Sequence, residues 1–202
     1  TNLEFLLNEV PEGIAKTIFL TSTFPKEGKT FISVNLASTI ALSDKKVLLL
    51  GLDIRNPKLE EYLDVPKVGV TNYLASKDHK YSADFLTKVE GFSNFYVMPA
   101  GVIPPNPAEL LMGKKVPELF EQLKQEFDYI IVDTAPVSLV TDTLLISKYA
   151  DAFVYVARAN YLDKRMLSLP ERLYQEKKLP NMSILINDTD STKGYGYGYG
   201  YG

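Results

Sequence analysis

Apolar residues along this chain fall into short, nearly uninterrupted runs, separated by stretches in which they recur every three or four positions. The runs are KTIFLTST (16–23), KKVLLLGLD (45–53), FYVMPAG (95–101), DYIIVDTAP (128–136), AFVYVARAN (152–160) and MSILIND (182–188). A strand with one wet face would alternate apolar with polar. Runs without alternation predict strands buried on both faces, as in a parallel sheet covered by helices. The intervening segments supply the helices: TFISVNLASTIAL (30–42), NPAELLMGKKVPELFEQLKQEF (106–127) as one long helix, and residues 163–178 with a break at Pro170. DTLLISKYA (142–150) adds a further apolar segment, and Asp142 stands where a helix cap would. The expected fold is α/β, a mostly parallel central sheet with helices on both faces.

The pattern stops near Asp190. Beyond it the chain reads STKGYGYGYGYG, which sets Tyr195, Tyr197, Tyr199 and Tyr201 between glycines that cannot offset the entropy of ordering. The expected organisation is therefore one domain over 1–190 and a flexible tail over 191–202. With 46% hydrophobic and 23% charged residues, the body has the profile of a folded chain. A net charge of −3 argues against a partner bound by broad phosphate neutralisation, so nucleic acid is not expected. The absence of cysteine removes thiolate chemistry, and the single histidine, His79, cannot build a histidine metal cluster and reads as a solvated surface residue. No apolar run approaches the roughly 18 residues of a membrane span, and the chain as given is expected to be cytosolic.

Chemistry concentrates at the ends of three strands. TFPKEGKT (23–30) lies between the first strand and the first helix with the spacing of a phosphate-binding loop, except that Thr23 occupies the usual first glycine position. Backbone amides and the helix dipole would face an anion there, Gly28 would allow close approach, Lys29 would reach the outer phosphates, and the Thr30 hydroxyl would bind magnesium. YIIVDTAP ends its strand in Asp133, placed to support the metal shell. VLLLGLDIRNP carries Asp53 and Arg55 to the same edge, where open parallel sheets bind their ligands.

Taken together, TSTFPKEGKT, LLLGLDIRNPKL, FDYIIVDTAP, PAGVIPPNPAELL and the tyrosine-rich end resemble the bacterial tyrosine kinases of the polysaccharide co-polymerase type, relatives of the MinD and ParA ATPases with a deviant Walker loop. The partition ATPases usually carry a lysine where this chain has Phe24, which favours the kinase branch. The resemblance implies that ATP is bound with Mg2+ by Lys26, Glu27, Gly28, Lys29, Thr30 and Phe31. It implies that Lys29, Asp53, Arg55 and Asp133 carry the chemistry, that Thr30, Asp53 and Asp133 serve the metal, and that Asn187 lies where the adenine is contacted. Asp142 falls in the segment that senses the nucleotide, as an alternative to helix capping. The substrate would be the tail itself, Tyr195 to Tyr201, presented in trans within a ring of subunits. Each added phosphate would bring roughly −1.5 to −2 charge and loosen the ring. Partners implied are other copies of the chain, a membrane-embedded co-polymerase region or activator, and a tyrosine phosphatase, at the cytoplasmic side of the membrane.

Two features depart from the family. The second motif usually has aspartates two residues apart, and the first, often the base for the tyrosine proton, is Gly51 here. Three outcomes stay open: transfer without that carboxylate, Asp53 in its place, or a weak or silent kinase that still binds ATP. The start, TNLEFLL, resembles the end of a helix whose ring-contact residues are missing, so the chain is expected to be a fragment and mainly monomeric. A nucleotide-switched ATPase and a silent scaffold of an export complex remain competing readings.

Overall fold

The structure, a computed structural model, describes residues 7–8, 10–76 and 80–190. The readings of His79, of the segment TNLEFL and of the tyrosine tail lie outside the described residues. Seven strands form one sheet: β1 (Lys16–Ser22), β2 (Val47–Gly51), β3 (Thr87–Lys88), β4 (Phe95–Met98), β5 (Tyr129–Asp133), β6 (Ala152–Arg158) and β7 (Met182–Asn187). Their order is β3-β4-β2-β5-β1-β6-β7, parallel throughout except that β3 runs against β4. The helices are α1 (Lys29–Ala41), α2 (Val70–Ala75), α3 (Pro107–Met112), α4 (Lys115–Glu126), α5 (Asp142–Ile146) and α6 (Ser168–Gln175).

The continuous apolar runs are buried on both faces, as their composition requires. Ile18 and Leu20 of β1 pack with Val47, Leu49 and Ile131 beneath Ala37 and Ala41 of α1. Between them, Phe19 points the other way, into Leu48, Leu50, Ile130 and Phe120 of α4. Its ring lies 5.3 Å from Phe153 and 5.9 Å from Phe120. Each such side chain, fully withdrawn from water, contributes roughly 1.5–3 kcal/mol, which ties both helix layers to the central strands.

Two helix expectations need correction, and one rule explains both. The predicted helix over 106–127 is two helices, α3 and α4, separated at Gly113 and Lys114. Pro117 is the third residue of α4. A proline tolerates the first turn of a helix, but in a continuous one its ring would collide with the carbonyl four residues back, that of Gly113. Gly113 accordingly turns to an extended backbone with ψ 158°. Likewise α6 does not break at Pro170, its third residue. The break falls before Ser168, where α6 succeeds a 3-10 turn over Lys164–Leu167. The two-residue strand β3 and the short helix α2 carry too little pattern to be read from sequence.

Candidate functional site

Strand register sets Leu20 of β1 and Gly51 of β2 both opposite Asp133, so β2 and β5 end level while β1 runs two residues further. The phosphate loop fills the gap between β1 and α1. Gly28 caps α1 at φ 88°, and a Cβ there would stand 2.1 Å from the Asn187 amide nitrogen, so both backbone and space demand glycine. Asn187, at the end of β7, donates from Nδ2 to the Glu27 carbonyl at 3.0 Å. The Glu27 carboxylate turns inward and accepts the Phe24 amide at 2.7 Å and the Arg158 amide at 3.4 Å. Burial pushes its carboxyl pKa up, while the backbone amides it accepts pull the other way. Thr23, in place of the usual glycine, is fully buried and shares a 2.8 Å hydrogen bond with the Tyr155 hydroxyl. The loop is thus braced by its own side chains, and the first amides of α1, which lack partners inside the helix, face the cavity as anion donors.

Asp133 is the hub behind the loop. It is 2% exposed and accepts Lys29 Nζ at 2.6 Å, Thr30 Oγ1 at 2.9 Å and Ser33 Oγ at 3.1 Å. Asp53 lies across Lys29, its Oδ2 4.0 Å from Nζ and its Oδ1 accepting the Asn56 amide at 3.1 Å. Burial raises the Asp53 carboxyl pKa above its ordinary 3.8, with the Lys29 charge pulling it down. One ammonium therefore faces two carboxylates, an arrangement with room for one more positive charge. The available donors, Thr30 Oγ1 and the Asp53 and Asp133 oxygens, are the hard oxygen ligands that suit Mg2+. Among the described residues no group of three or more His, Cys, Asp or Glu forms a dedicated metal cage. A cation here would complete its shell with water and phosphate oxygens, the usual habit of Mg2+.

Arg55 and Asp142 find each other rather than the phosphate loop. Arg55 Nε and Nη2 donate to the two Asp142 oxygens at 2.6 and 3.0 Å. The cap of α5 is Thr141, and Asp142 makes no side-chain capping bond there, so the helix-cap reading of Asp142 is corrected: its carboxylate latches the loop after β2 to the first turn of α5. Gly51 also acquires a reason. A Cβ at this position would meet the Ala100 amide nitrogen at 2.9 Å and Leu59 Cδ1 at 3.0 Å. The space a first-motif aspartate would need is filled.

The cavity that joins these groups has a volume of about 820 Å³ and runs along the carboxyl edge of the sheet. At the β7 end it is lined by Lys26, Gly28, Arg158, Asn187 and Asp188, and at the β2 end by Asp53, Arg55, Phe31 and Tyr62. Phe31 keeps its backbone in the first turn of α1 while its ring lies against Tyr62, with centroids 6.3 Å apart. Sequence reasoning missed Ser33, Arg158 and Tyr62. Ser33 stands one helical turn after Lys29, a spacing that could have flagged it. Arg158 donates to the Lys26 carbonyl at 3.2 Å and to Asp188 at 2.9 Å, contacts between distant segments that no local pattern announces.

Residues 16–165 match the sequence profile of the AAA domain family. The tyrosine-protein kinase ptk of Acinetobacter johnsonii is 34% identical over 197 residues, covering 96% of this chain and 26% of ptk, so this chain spans about a quarter of that relative. The tyrosine-protein kinase CpsD of Streptococcus pneumoniae is 33% identical over 177 residues, 87% of this chain and 77% of CpsD. Among solved structures, the kinase domain of Escherichia coli tyrosine kinase ETK superposes with a TM-score of 0.80 at 31% identity, covering 96% of this chain and 77% of that one.

Proposed function

This chain belongs to the bacterial tyrosine-protein kinases and carries their AAA domain, and from that premise we propose that it transfers the γ-phosphate of ATP to tyrosine, its acceptors being Tyr195, Tyr197, Tyr199 and Tyr201 of its own tail. The observation that carries the reading is the Lys29–Asp133–Thr30–Ser33 cluster behind a glycine-capped loop, with Asp53 on the far side of Lys29. The first-turn amides of α1 hold the phosphates, and Lys29 exchanges its bond to Asp133 for the outer phosphate oxygens, where it offsets charge during transfer. Thr30 and Asp133 would hold Mg2+, which when bound neutralises phosphate charge, with Asp53 across Lys29 left to take a proton. As the tyrosine oxygen bonds to the γ-phosphorus, the bond from that phosphorus to ADP breaks, and the hydroxyl proton passes to Asp53. Asp53 takes this role because no carboxylate stands at Gly51. Asn187 and Arg158 flank the end of the cavity that takes the base.

The division into a kinase domain over 1–190 and an acceptor tail over 191–202 belongs to the same proposal. So do transfer in trans within a ring of copies, a membrane-embedded co-polymerase region or activator as partner, a tyrosine phosphatase as antagonist, and a role in capsule or exopolysaccharide export at the cytoplasmic face of the membrane. No helix among the described residues is long and apolar enough to cross a membrane. A second reading, a nucleotide-switched ATPase whose tail only binds, draws on Gly51. The deciding experiment incubates phosphate-free protein with ATP and Mg2+ and maps the tail by mass spectrometry beside a Lys29→Met control. Phosphotyrosine that disappears in the control is expected; ATP hydrolysis with an unmodified tail would sink the kinase reading in favour of the switch.

A further inference from the structure

The phosphate loop opens on Thr23 where a glycine is usual, and nothing in the proposed reaction uses that threonine. Thr23 lies just past β1 and is wholly shielded from water, as is Tyr155 in the middle of β6. The strands run parallel with Thr21 opposite Tyr155. The Tyr155 hydroxyl therefore reaches two residues further, a rise of roughly 6.6 Å, to meet Thr23 Oγ1 at 2.8 Å beyond the end of β1. A phenylalanine would fill the same space and bond nothing. Among the described residues the only buried side-chain polar atom without a partner is Thr17 Oγ1, so each of these two hydroxyls is satisfied, and by the other. A glycine at position 23 would leave the Tyr155 hydroxyl buried and unbonded, a cost comparable to the bond itself. The pair is also uncharged: burial pushes the Tyr155 hydroxyl up to about 12, the bond to Thr23 pulling the other way and the Glu27 charge adding to the rise. No negative charge is set beneath a site built for an anion.

We propose that Tyr155 is a positioning residue for the nucleotide: acting through Thr23, it holds the start of the phosphate loop in its binding shape before any ligand arrives. The proposal rests on the reading above only for the nucleotide, not for the acceptor. Thr23 is the point from which the loop can be held. Its carbonyl accepts the Ser138 amide at 3.3 Å and the Ser138 hydroxyl, and the next carbonyl, of Phe24, accepts Ser22 Oγ at 2.8 Å. From there the chain enters the turn that the Glu27 carboxylate closes on the Phe24 amide, with Lys26 at φ 69° and Gly28 at φ 88°. At the rim the same turn is held by exposed bonds, from Arg158 to the Lys26 carbonyl and from the Tyr161 hydroxyl to the Pro25 carbonyl at 3.1 Å. Tyr155 holds it from the buried floor, where water does not compete for the bond. A loop fixed in advance does not have to be ordered at the ligand's expense, so loosening it lowers affinity. The loop amides face the phosphates before and during transfer, and the loss therefore falls on binding rather than on chemistry.

The test measures the Kd of a fluorescent non-hydrolysable ATP analogue with Mg2+ on the full chain, beside urea unfolding without nucleotide. Tyr155→Phe should weaken analogue binding about tenfold. Thr23→Val removes the other hydroxyl and should do the same, while Thr23→Ser keeps it and should bind as the natural chain does; this pair carries the test if Tyr155→Phe does not fold. Added to Thr23→Gly, Tyr155→Phe should cost no further affinity, because the bond it breaks is already gone. In turnover, Tyr155→Phe should raise KM for ATP with little change in kcat. Variants that lose stability yet bind the analogue as tightly as the natural chain would overturn the positioning role and leave the pair a part of the core. An equal loss from Tyr155→Phe with and without the Thr23 hydroxyl would overturn Thr23 as its route. Because affinity is read without transfer, a chain that shows these losses yet makes no phosphotyrosine refutes the kinase reading and leaves the positioning role standing. A natural chain that binds no analogue overturns both.

Discussion

The two ends of the cavity are built in opposite ways. At the β7 end, polar side chains bond to loop backbone: Asn187 and Arg158 donate to the carbonyls of Glu27 and Lys26, and the Glu27 carboxylate accepts two amides in return. At the β2 end, the Asp53 carboxylate faces Lys29 at 4.0 Å and accepts the amides of Asn56 and Arg55, beside half-exposed aromatic rings. The first end holds a shape in place before any ligand arrives. The second leaves the Asp53 carboxylate without a close ion pair, as the proposed proton transfer from an acceptor would require. The Arg55–Asp142 pair marks the border, fixing the loop that carries Asp53 without occupying Asp53 itself.

The contrast is sharpest in the consequence of removing Asp53. If it accepts the tyrosine proton, Asp53→Asn should lower kcat for the tail peptide by roughly 10²- to 10⁴-fold while ATP binding survives, measured by single-turnover phosphorylation. A loss confined to ATP affinity would mean that Asp53 serves the nucleotide, and the two ends would then differ in shape but not in task. A middle-sized effect is expected at Gly51. Because a Cβ there meets the Ala100 backbone as well as Leu59, Gly51→Asp should destabilise the fold by about 1–3 kcal/mol in urea unfolding and should not speed transfer. A stable, faster variant would show that the β2 end retains space for the family's missing carboxylate.

The smallest effect belongs to the β7 end and depends on pH. Burial raises the Glu27 pKa in the folded state above its ordinary 4.5, so between those values the native chain binds more protons than the unfolded one. Stability from this group is then full at low pH and is lost as pH rises through the folded value. Glu27→Gln has no such proton to lose. The stability of the natural chain minus that of Glu27→Gln should therefore fall on going from pH 4 to pH 8 in paired urea titrations. A difference that is flat, or that rises, would mean that the amides donated to Glu27 outweigh its burial.

Much of this was legible in the residues alone. Continuous apolar runs such as VLLLG and YIIVD announced buried parallel strands, because burial on both faces leaves no position for alternation. The loop at 23–30, Lys29, Thr30 and the strand-end Asp133 and Asp53 followed from spacing within single segments, since the geometry of a strand–loop–helix turn is local. Pro117 and Pro170 were legible too, had the carbonyl four residues back been considered. What the tertiary structure alone decided are the meetings between segments far apart in sequence: Asp142 with Arg55, Asn187 with the loop at Gly28, Thr23 with Tyr155, and Leu59 in the space beside Gly51. Each depends on the order β2-β5-β1-β6-β7, which brings the ends of non-consecutive strands together. Local propensity sets what each segment becomes, but which segments become neighbours follows from packing the whole sheet. A glycine that reads as a lost carboxylate in its motif is, in the folded chain, the place where a leucine fits.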